Sequence, residues 1–128
     1  MEYQDTHQAM EPLGAHPMGY LSYGADCRMY AILVAEGRRR PAGDVPTDAE
    51  KIELFDGMGS YAGTYTVEGD RVVHHVDISW NEVWTGTTQV RLFAMNGNIL
   101  RLTACIPDPV GGVERHYTLE WQKVVSPR

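Results

Sequence analysis

Short β-strand-like runs separated by turn residues make up most of the chain, and this pattern constrains the fold more than any other feature. Seven runs rich in β-branched and aromatic residues occupy positions 20–23, 28–33, 61–67, 71–80, 88–95, 99–106 and 115–124. Turn sequences such as EGD at 68–70 and NGN at 96–98 separate neighbouring runs, and their Gly and Asn residues tolerate the positive φ angles of tight hairpins. The pattern predicts an all-β antiparallel up-and-down meander that closes into a barrel, because closure removes exposed sheet edges.

One segment between the second and third runs has the signature of a helix start. Thr47 stands three residues before Glu50, the spacing of a capping box, in which both residues satisfy amide groups at a helix N-terminus. Apolar residues at 52, 55 and 58 follow at helical intervals, and glycines at 57 and 59 favour an end there. We therefore expect one short amphipathic α-helix over about residues 47–58, inside a single domain that spans residues 1–128.

Composition excludes several classes of function. With 11 Lys and Arg against 17 Asp and Glu, the net charge of −6 argues against a nucleic-acid partner, which requires clustered cations. No apolar run is long enough to span a membrane, and residues 1–20 lack the apolar segment of a secretion signal, so we expect a cytoplasmic protein with no membrane partner. The two cysteines lack CxxC spacing and no ligand-type residues cluster, so we expect no metal and no cofactor.

Alternation along the strands predicts which side chains face the barrel interior. In each run, one of the two parities is mainly apolar or aromatic, and we assign that parity to the interior. The predicted interior residues are Tyr61, Gly63, Tyr65 and Val67; Val72, His74, Val76, Ile78 and Trp80; Val90, Leu92 and Ala94; Leu100, Leu102, Ala104 and Ile106; and Tyr117, Leu119 and Trp121.

Two polar residues on these strands each have two interpretations. His74 lies among apolar neighbours, where an imidazole is either a hydrogen-bonded core residue or a group that binds or transforms a ligand. Arg91 lies on the parity assigned to solvent, which indicates a surface cation paired with Asp77 or Glu120. A bulge near Gly86 would instead turn Arg91 toward the barrel mouth, where it would meet an anionic group of a ligand.

Residues 74–91 carry a resemblance to a known family. Their sequence, HHVDISWNEVWTGTTQVR, has a strand with His and Val, a Trp-containing turn, and then Gly-Thr and Gln-Val-Arg, and it resembles the bacterial and fungal lipocalin-like domain family. GYLSY at 19–23, YAGTYTV at 61–67 and LEW at 119–121 are similar to strands of that family in the same order. The resemblance implies a lipocalin-like β-barrel with an internal cavity.

The start of the chain departs from the family pattern. The family opens with a Gly-Thr-Trp strand, whereas residues 1–5, MEYQD, resemble only the tail of that strand. We therefore expect a shortened first strand, which would leave a sheet edge open. A second copy of the chain could cover this edge, and we accordingly expect a homodimer.

A barrel with a cavity leads to the hypothesis that the protein binds a small, largely apolar molecule. Aromatic walls would supply the contact area, and histidine and tyrosine groups would orient the ligand. The predicted ligand-binding residues are Tyr23, Met29, Tyr61, Tyr65, His74, Trp80, Trp84 and Arg91. In a second interpretation, the same aromatic side chains simply fill a dry barrel.

An enzyme of the cyclase or isomerase type, acting on a hydrophobic small molecule, is the alternative function. His74 would then act as general acid or base, and Arg91 or a tyrosine would stabilise developing negative charge. The sequence contains no nucleophile motif and no pair of inward carboxylates, so we assign no catalytic residue.

Overall fold

A computed structural model describes residues 2–3, 13–14, 16–106 and 115–124. The strands are β1 (Glu2–Tyr3), β2 (Met18–Tyr23), β3 (Arg28–Val34), β4 (Met58–Glu68), β5 (Arg71–Ser79), β6 (Thr88–Asn96), β7 (Ile99–Ile106) and β8 (Arg115–Gln122). One α-helix, α1 (Asp48–Asp56), lies between β3 and β4, and a 3₁₀ turn (Glu82–Trp84) lies between β5 and β6. Within these ranges, no helix has the length and hydrophobicity of a membrane span.

All strands belong to one antiparallel sheet, in the spatial order β1-β8-β7-β6-β5-β4-β3-β2. The tight turns between the strands contain Gly69 and Gly97, whose φ angles of 64° and 62° are in the left-handed region that favours glycine. The seven longer strands curl into a nearly closed barrel, in which Leu21 of β2 packs against a buried cluster from β5, β7 and β8. The predicted all-β meander that closes into a lipocalin-like barrel is confirmed.

Helix α1 begins as the sequence predicts but packs differently. Thr47 Oγ1 accepts a hydrogen bond from Glu50 N (3.2 Å), and Glu50 Oε1 accepts one from Thr47 N (2.8 Å), which completes the capping box. The predicted amphipathic packing is wrong, because α1 buries no residue and Ile52 is 63% exposed. The helix contacts the barrel end at Trp80, whose Nε1 donates a hydrogen bond to Phe55 O (3.2 Å) and whose ring lies 5.9 Å from that of Phe55.

A bulge in β5 changes the direction of the side chains that follow it. Gly63 of β4 pairs with Val76 and Ala62 pairs with Ile78, so Asp77 is an extra residue in β5. A Cβ atom on Gly63 would lie only 1.8 Å from His75 O, so the close approach of the two backbones requires glycine. Beyond the bulge the parity inverts, and Ile78, which we predicted to face inward, is 66% exposed.

The interior face of β6 is also opposite to the prediction. Arg91 pairs with Val72 of β5, and residues paired across an antiparallel ladder share one face, so Arg91 points inward with Val72. Val90 and Leu92, which we assigned to the interior, are exposed on the outer face. Strands β7 and β8 follow the prediction at Leu102, Ala104, Leu119 and Trp121, which are buried.

Candidate functional site

A cavity of about 370 Å³ lies inside the barrel, at the end next to α1. Its volume is within the roughly 300–1,000 Å³ that is typical of small-molecule pockets. Aliphatic side chains from β2, β3, β7 and β8 form one side of its wall, among them Leu21, Leu33 and Leu119. The cavity is therefore largely apolar, with polar groups confined to a few positions.

Aromatic rings form another side of the cavity. Trp84 lies between two other rings, with centroid distances of 5.8 Å to Tyr61 and 5.5 Å to Trp80. The 3₁₀ turn makes this arrangement possible: Asn81 Oδ1 accepts a hydrogen bond from Val83 N (3.1 Å), and the tight turn returns Trp84 to Trp80. Trp121 of β8 completes the set, so all three tryptophans of the chain line this cavity.

His74 lies at the inner end of the cavity, hydrogen-bonded to two tyrosines. Tyr23 Oη is 2.5 Å from Nε2, and Tyr61 Oη is 2.5 Å from Nδ1. The residue is only 2% exposed, and this burial, assisted by the positive charge of Arg91, lowers the pKa of His74 to about 4. The imidazole is therefore neutral at physiological pH, with one N–H group and one unprotonated nitrogen. One tyrosine consequently donates to His74 and the other accepts from it.

This Tyr23–His74–Tyr61 triad has limited capacity for proton transfer. Both ring nitrogens of His74 already have partners, so neither is available as a base for a ligand. Burial also raises the pKa of Tyr23 and of Tyr61, which disfavours the phenolate of either residue. The triad is best suited to holding Tyr61 in a fixed orientation at the cavity wall.

Arg91 brings a positive charge into the same cavity. It is half-buried, and its Nη1 donates a hydrogen bond to Val90 O (3.0 Å). Within the described residues, Arg91 forms no salt bridge, and Arg101 is the partner of Glu120 (Nε to Oε2, 3.0 Å). Surface pairing of Arg91 with Asp77 or Glu120 is therefore wrong. The inward direction of Arg91 follows from the register with β5. A bulge does lie at Gly86 (φ 82°), where Gly86 and Thr87 both face Val76: Gly86 N donates to Val76 O (2.8 Å) and Val76 N donates to Thr87 O (2.9 Å).

The structure divides the eight predicted ligand-binding residues among several places. Five of them line the large cavity: Tyr61, His74, Trp80, Trp84 and Arg91. Tyr23 and Tyr65 line a second, apolar cavity of about 220 Å³ next to the hairpin turns, with their ring centroids 4.8 Å apart. Met29 is buried in the barrel wall, 3% exposed, and lines neither of these two cavities; it lines a third, more open depression of about 630 Å³ together with Tyr30 and Asp77.

Sequence reasoning missed several residues of the large cavity. Tyr117 and Trp121 of β8 were assigned to the interior but not to the site, and the alternation of β8 was the signal that could have identified them. The buried Nε1 of Trp121 has no hydrogen-bond partner among the described residues. Asp56, the last residue of α1, is an exposed carboxylate at the rim. In the described part of the chain, no group of three or more His, Cys, Asp or Glu could hold a metal ion.

Comparison of the sequence with known proteins identifies a family and a relative to which the chain is similar. The family model described as a lipocalin-like domain matches residues 1–124. A similar protein is the 4'-hydroxy-3'-methoxypropiophenone carrier protein ppsC of Aspergillus oryzae (strain ATCC 42149 / RIB 40), which is 34% identical over 86 residues. That match covers 61% of this chain and 78% of the carrier protein.

Proposed function

The chain belongs to the lipocalin-like domain family, and from this premise we propose that it binds a small, largely apolar aromatic molecule in the cavity next to α1. The observation that carries the proposal is the cavity itself: about 370 Å³, walled by aromatic rings, with polar side-chain groups at Tyr61, Arg91, Tyr117 and a few other positions. A cavity of roughly 150 Å³ lined by apolar residues already accommodates benzene. A substituted single-ring molecule is therefore an appropriate size for this one.

The carrier protein of Aspergillus oryzae supports the same class of ligand. Its name describes the cargo as 4'-hydroxy-3'-methoxypropiophenone, an aryl ketone with one phenol group. In this chain, the rings of Trp80 and Trp84 would contact the faces of such a ligand, and Tyr61 would hydrogen-bond to one of its oxygens. We propose a carrier or binding role for this protein as well, with an aryl ketone or a related phenol as ligand.

The geometry favours binding over acid–base catalysis. An enzyme of the cyclase or isomerase type would need a proton acceptor that reaches the ligand, and both nitrogens of His74 are engaged by tyrosines. A proton passed outward along the triad to a ligand would leave a phenolate at Tyr23, whose pKa is raised by burial, and a proton taken from a ligand would leave a second proton on His74, whose pKa is lowered by burial. The triad therefore supports ligand orientation better than turnover.

Tryptophan fluorescence provides a direct test of the proposal. Because all three tryptophans line the cavity, a ligand that enters it should quench the emission saturably. We would titrate the protein with 4'-hydroxy-3'-methoxypropiophenone, and expect a single binding isotherm. If neither this compound nor unsubstituted propiophenone produces saturable quenching, the proposal is wrong.

A matched pair of alanine-to-leucine substitutions would locate the binding site. Ala104 is buried and lines the cavity, whereas Ala94 is exposed on the outer face of β6. Ala104→Leu should weaken binding at least about tenfold, because the added atoms occupy ligand volume, and it should not lower the thermal midpoint, because they fill space that is empty. Ala94→Leu should bind as the wild type does. Equal affinities of the two variants would place the ligand elsewhere.

A further inference from the structure

Building on the proposed function, we infer that the cavity selects the anionic form of weakly acidic ligands, in particular acidic phenols, and that Arg91 binds their negative charge. The inference concerns which protonation state of a ligand is held, and which residue holds it. It depends on the position of Arg91, on the polarity of the groups around the cavity, and on the hydrogen bonds of the triad.

The first argument is the environment of Arg91. Its side chain lies in a largely apolar cavity, and within the described residues its guanidinium has one hydrogen bond, to a backbone carbonyl, and no carboxylate partner. A half-buried cation without a counterion is costly, because the protein replaces only part of its hydration. An anionic ligand would supply the missing counterion, and its charge-assisted hydrogen bonds would be stronger than neutral ones.

The second argument is that the polar groups near Arg91 are suited to donate hydrogen bonds. Tyr61 has a hydroxyl, and Trp121 has a buried N–H group with no partner among the described residues. The carboxylate of Asp56 is the exception, but it is exposed to solvent at the rim, where its charge is screened. The inner part of the cavity therefore favours an acceptor, and a negative charge most of all.

The third argument comes from the Tyr23–His74–Tyr61 triad. The single N–H group of neutral His74 can point to Tyr61 from Nδ1 or to Tyr23 from Nε2. When Nδ1 carries the hydrogen, Tyr61 accepts it and its own O–H is free to donate into the cavity. An anion next to Tyr61 favours this tautomer, because it gives the anion a donor that is held in place by a buried imidazole.

The pH dependence of binding should arise from ionisation of the ligand and not from the titratable groups of the cavity. They are His74 on β5, Tyr61 on β4, Tyr117 on β8 and Asp56 on α1, with Arg91 as the permanent cation. The pKa of His74 is lowered to about 4, and burial raises the pKa of Tyr117 to about 12 and that of Tyr61 above its usual value. None of these three groups changes charge between about pH 6 and 9. One variant in the experiment, Asp56→Asn, removes the carboxylate of the fourth group.

The experiment uses two probes that differ in one ionisable group. The first is 4'-hydroxy-3'-methoxypropiophenone, whose phenol is acidified by the para ketone and whose phenolate absorbs at longer wavelength. The second is its 4'-O-methyl ether, which cannot ionise. The absorbance of the first probe is followed against pH, free and with saturating protein, and the affinity of both probes is measured from tryptophan fluorescence at about pH 6 and about pH 9.

We expect the protein to lower the apparent pKa of the bound phenol by about one pH unit or more, which means that the phenolate binds at least about tenfold more tightly than the phenol. Arg91→Gln should abolish this shift, and Arg91→Lys should retain part of it because the charge remains. Asp56→Asn, which alters a carboxylate of the same cavity, should leave the shift unchanged or enlarge it. The methyl ether should bind more weakly than the phenolate, with no dependence on pH.

Three other results separate the inference from the proposed function. If both probes bind equally at about pH 6 and about pH 9 and the phenol pKa does not move, selection of the anion is refuted while binding in the cavity stands. A shift that survives in Arg91→Gln refutes the assignment to Arg91. If neither probe binds to the wild type, the proposed function is wrong, and this inference fails with it.

Discussion

Acidification should destabilise the fold through His74. In the unfolded chain the pKa of its imidazole is the ordinary 6.5, whereas in the folded protein burial lowers it to about 4. The lowered pKa means that the folded state favours the neutral imidazole. The stability that depends on this neutral form is complete above pH 6.5 and is lost as the pH falls from 6.5 toward 4, because only the unfolded chain gains the proton.

The size of this effect follows from the two pKa values. Over the whole interval between 6.5 and about 4, the loss reaches about 3 kcal/mol. Between about pH 7.5 and about pH 5, it amounts to about 2 kcal/mol. Other groups also titrate in this range, so the contribution of His74 has to be isolated by substitution.

Urea unfolding, followed by tryptophan fluorescence at both pH values, measures the effect. His74→Gln removes the titrating group and should reduce the pH-dependent loss of unfolding free energy by about 2 kcal/mol relative to wild type. His75→Gln is the matched control, because His75 is the adjacent residue and lies on the other face of β5, where its Nε2 is 3.4 Å from Thr66 Oγ1. This variant leaves the imidazole of His74 in place, so it should keep most of the pH-dependent loss that His74→Gln removes.

His74→Gln also loses its hydrogen bonds with Tyr23 and Tyr61 and should be less stable at neutral pH by about 1–3 kcal/mol. An NMR titration of the His74 ring in the wild-type protein gives the same information without any substitution. A pKa near 6.5 in the folded protein, or equal pH dependence of wild type and His74→Gln, would refute the reasoning.

Three further predictions concern other parts of the structure. Gly63→Ala should lower the unfolding free energy by more than about 2 kcal/mol, because its Cβ would clash with the backbone of β5. Gly59→Ala is the control: its Cβ would meet ring carbons of Trp80 at 3.8 Å, so it should change the unfolding free energy by less than about 1 kcal/mol. Urea unfolding of the two variants compares them. Arg91→Met should raise the unfolding free energy by about 1 kcal/mol, since an apolar side chain replaces a half-buried cation, and a lower thermal midpoint by calorimetry would contradict this. Thr47→Ala should destabilise α1 locally by about 1 kcal/mol, visible as faster amide hydrogen exchange in α1 with little change in the global midpoint.

The sequence was sufficient to predict the strands, the barrel and the helix start, because these depend on local signals. Strict alternation in β7 and β8 identified Leu102 and Leu119 as buried, and the spacing of Thr47 and Glu50 identified the capping box. Strand β6 lacked such a signal, because both of its parities contain apolar residues. Only the register with β5, in which Val72 pairs with Arg91, determines which parity faces inward.

The candidate site depended more on long-range contacts. Tyr23 and Tyr61 meet His74 across 51 and 13 residues of sequence, and no local spacing connects the three. The bulge at Asp77 arises from a close backbone approach at Gly63, which alternation alone cannot show. Residue types therefore indicated the aromatic and histidine character of the site, whereas its division into two cavities required the three-dimensional structure.

The indole N–H signals in a ¹H–¹⁵N NMR spectrum would test binding in the cavity most directly. The chain has three tryptophans, and all of them line the cavity next to α1, so the spectrum should contain three indole signals that report on it. On titration with 4'-hydroxy-3'-methoxypropiophenone, all three should shift saturably with one dissociation constant, while the amide signals of Met95 and Leu100 at the second cavity should not move. Unmoved indole signals, with shifts confined to the second cavity or the outer face, would contradict the proposed site.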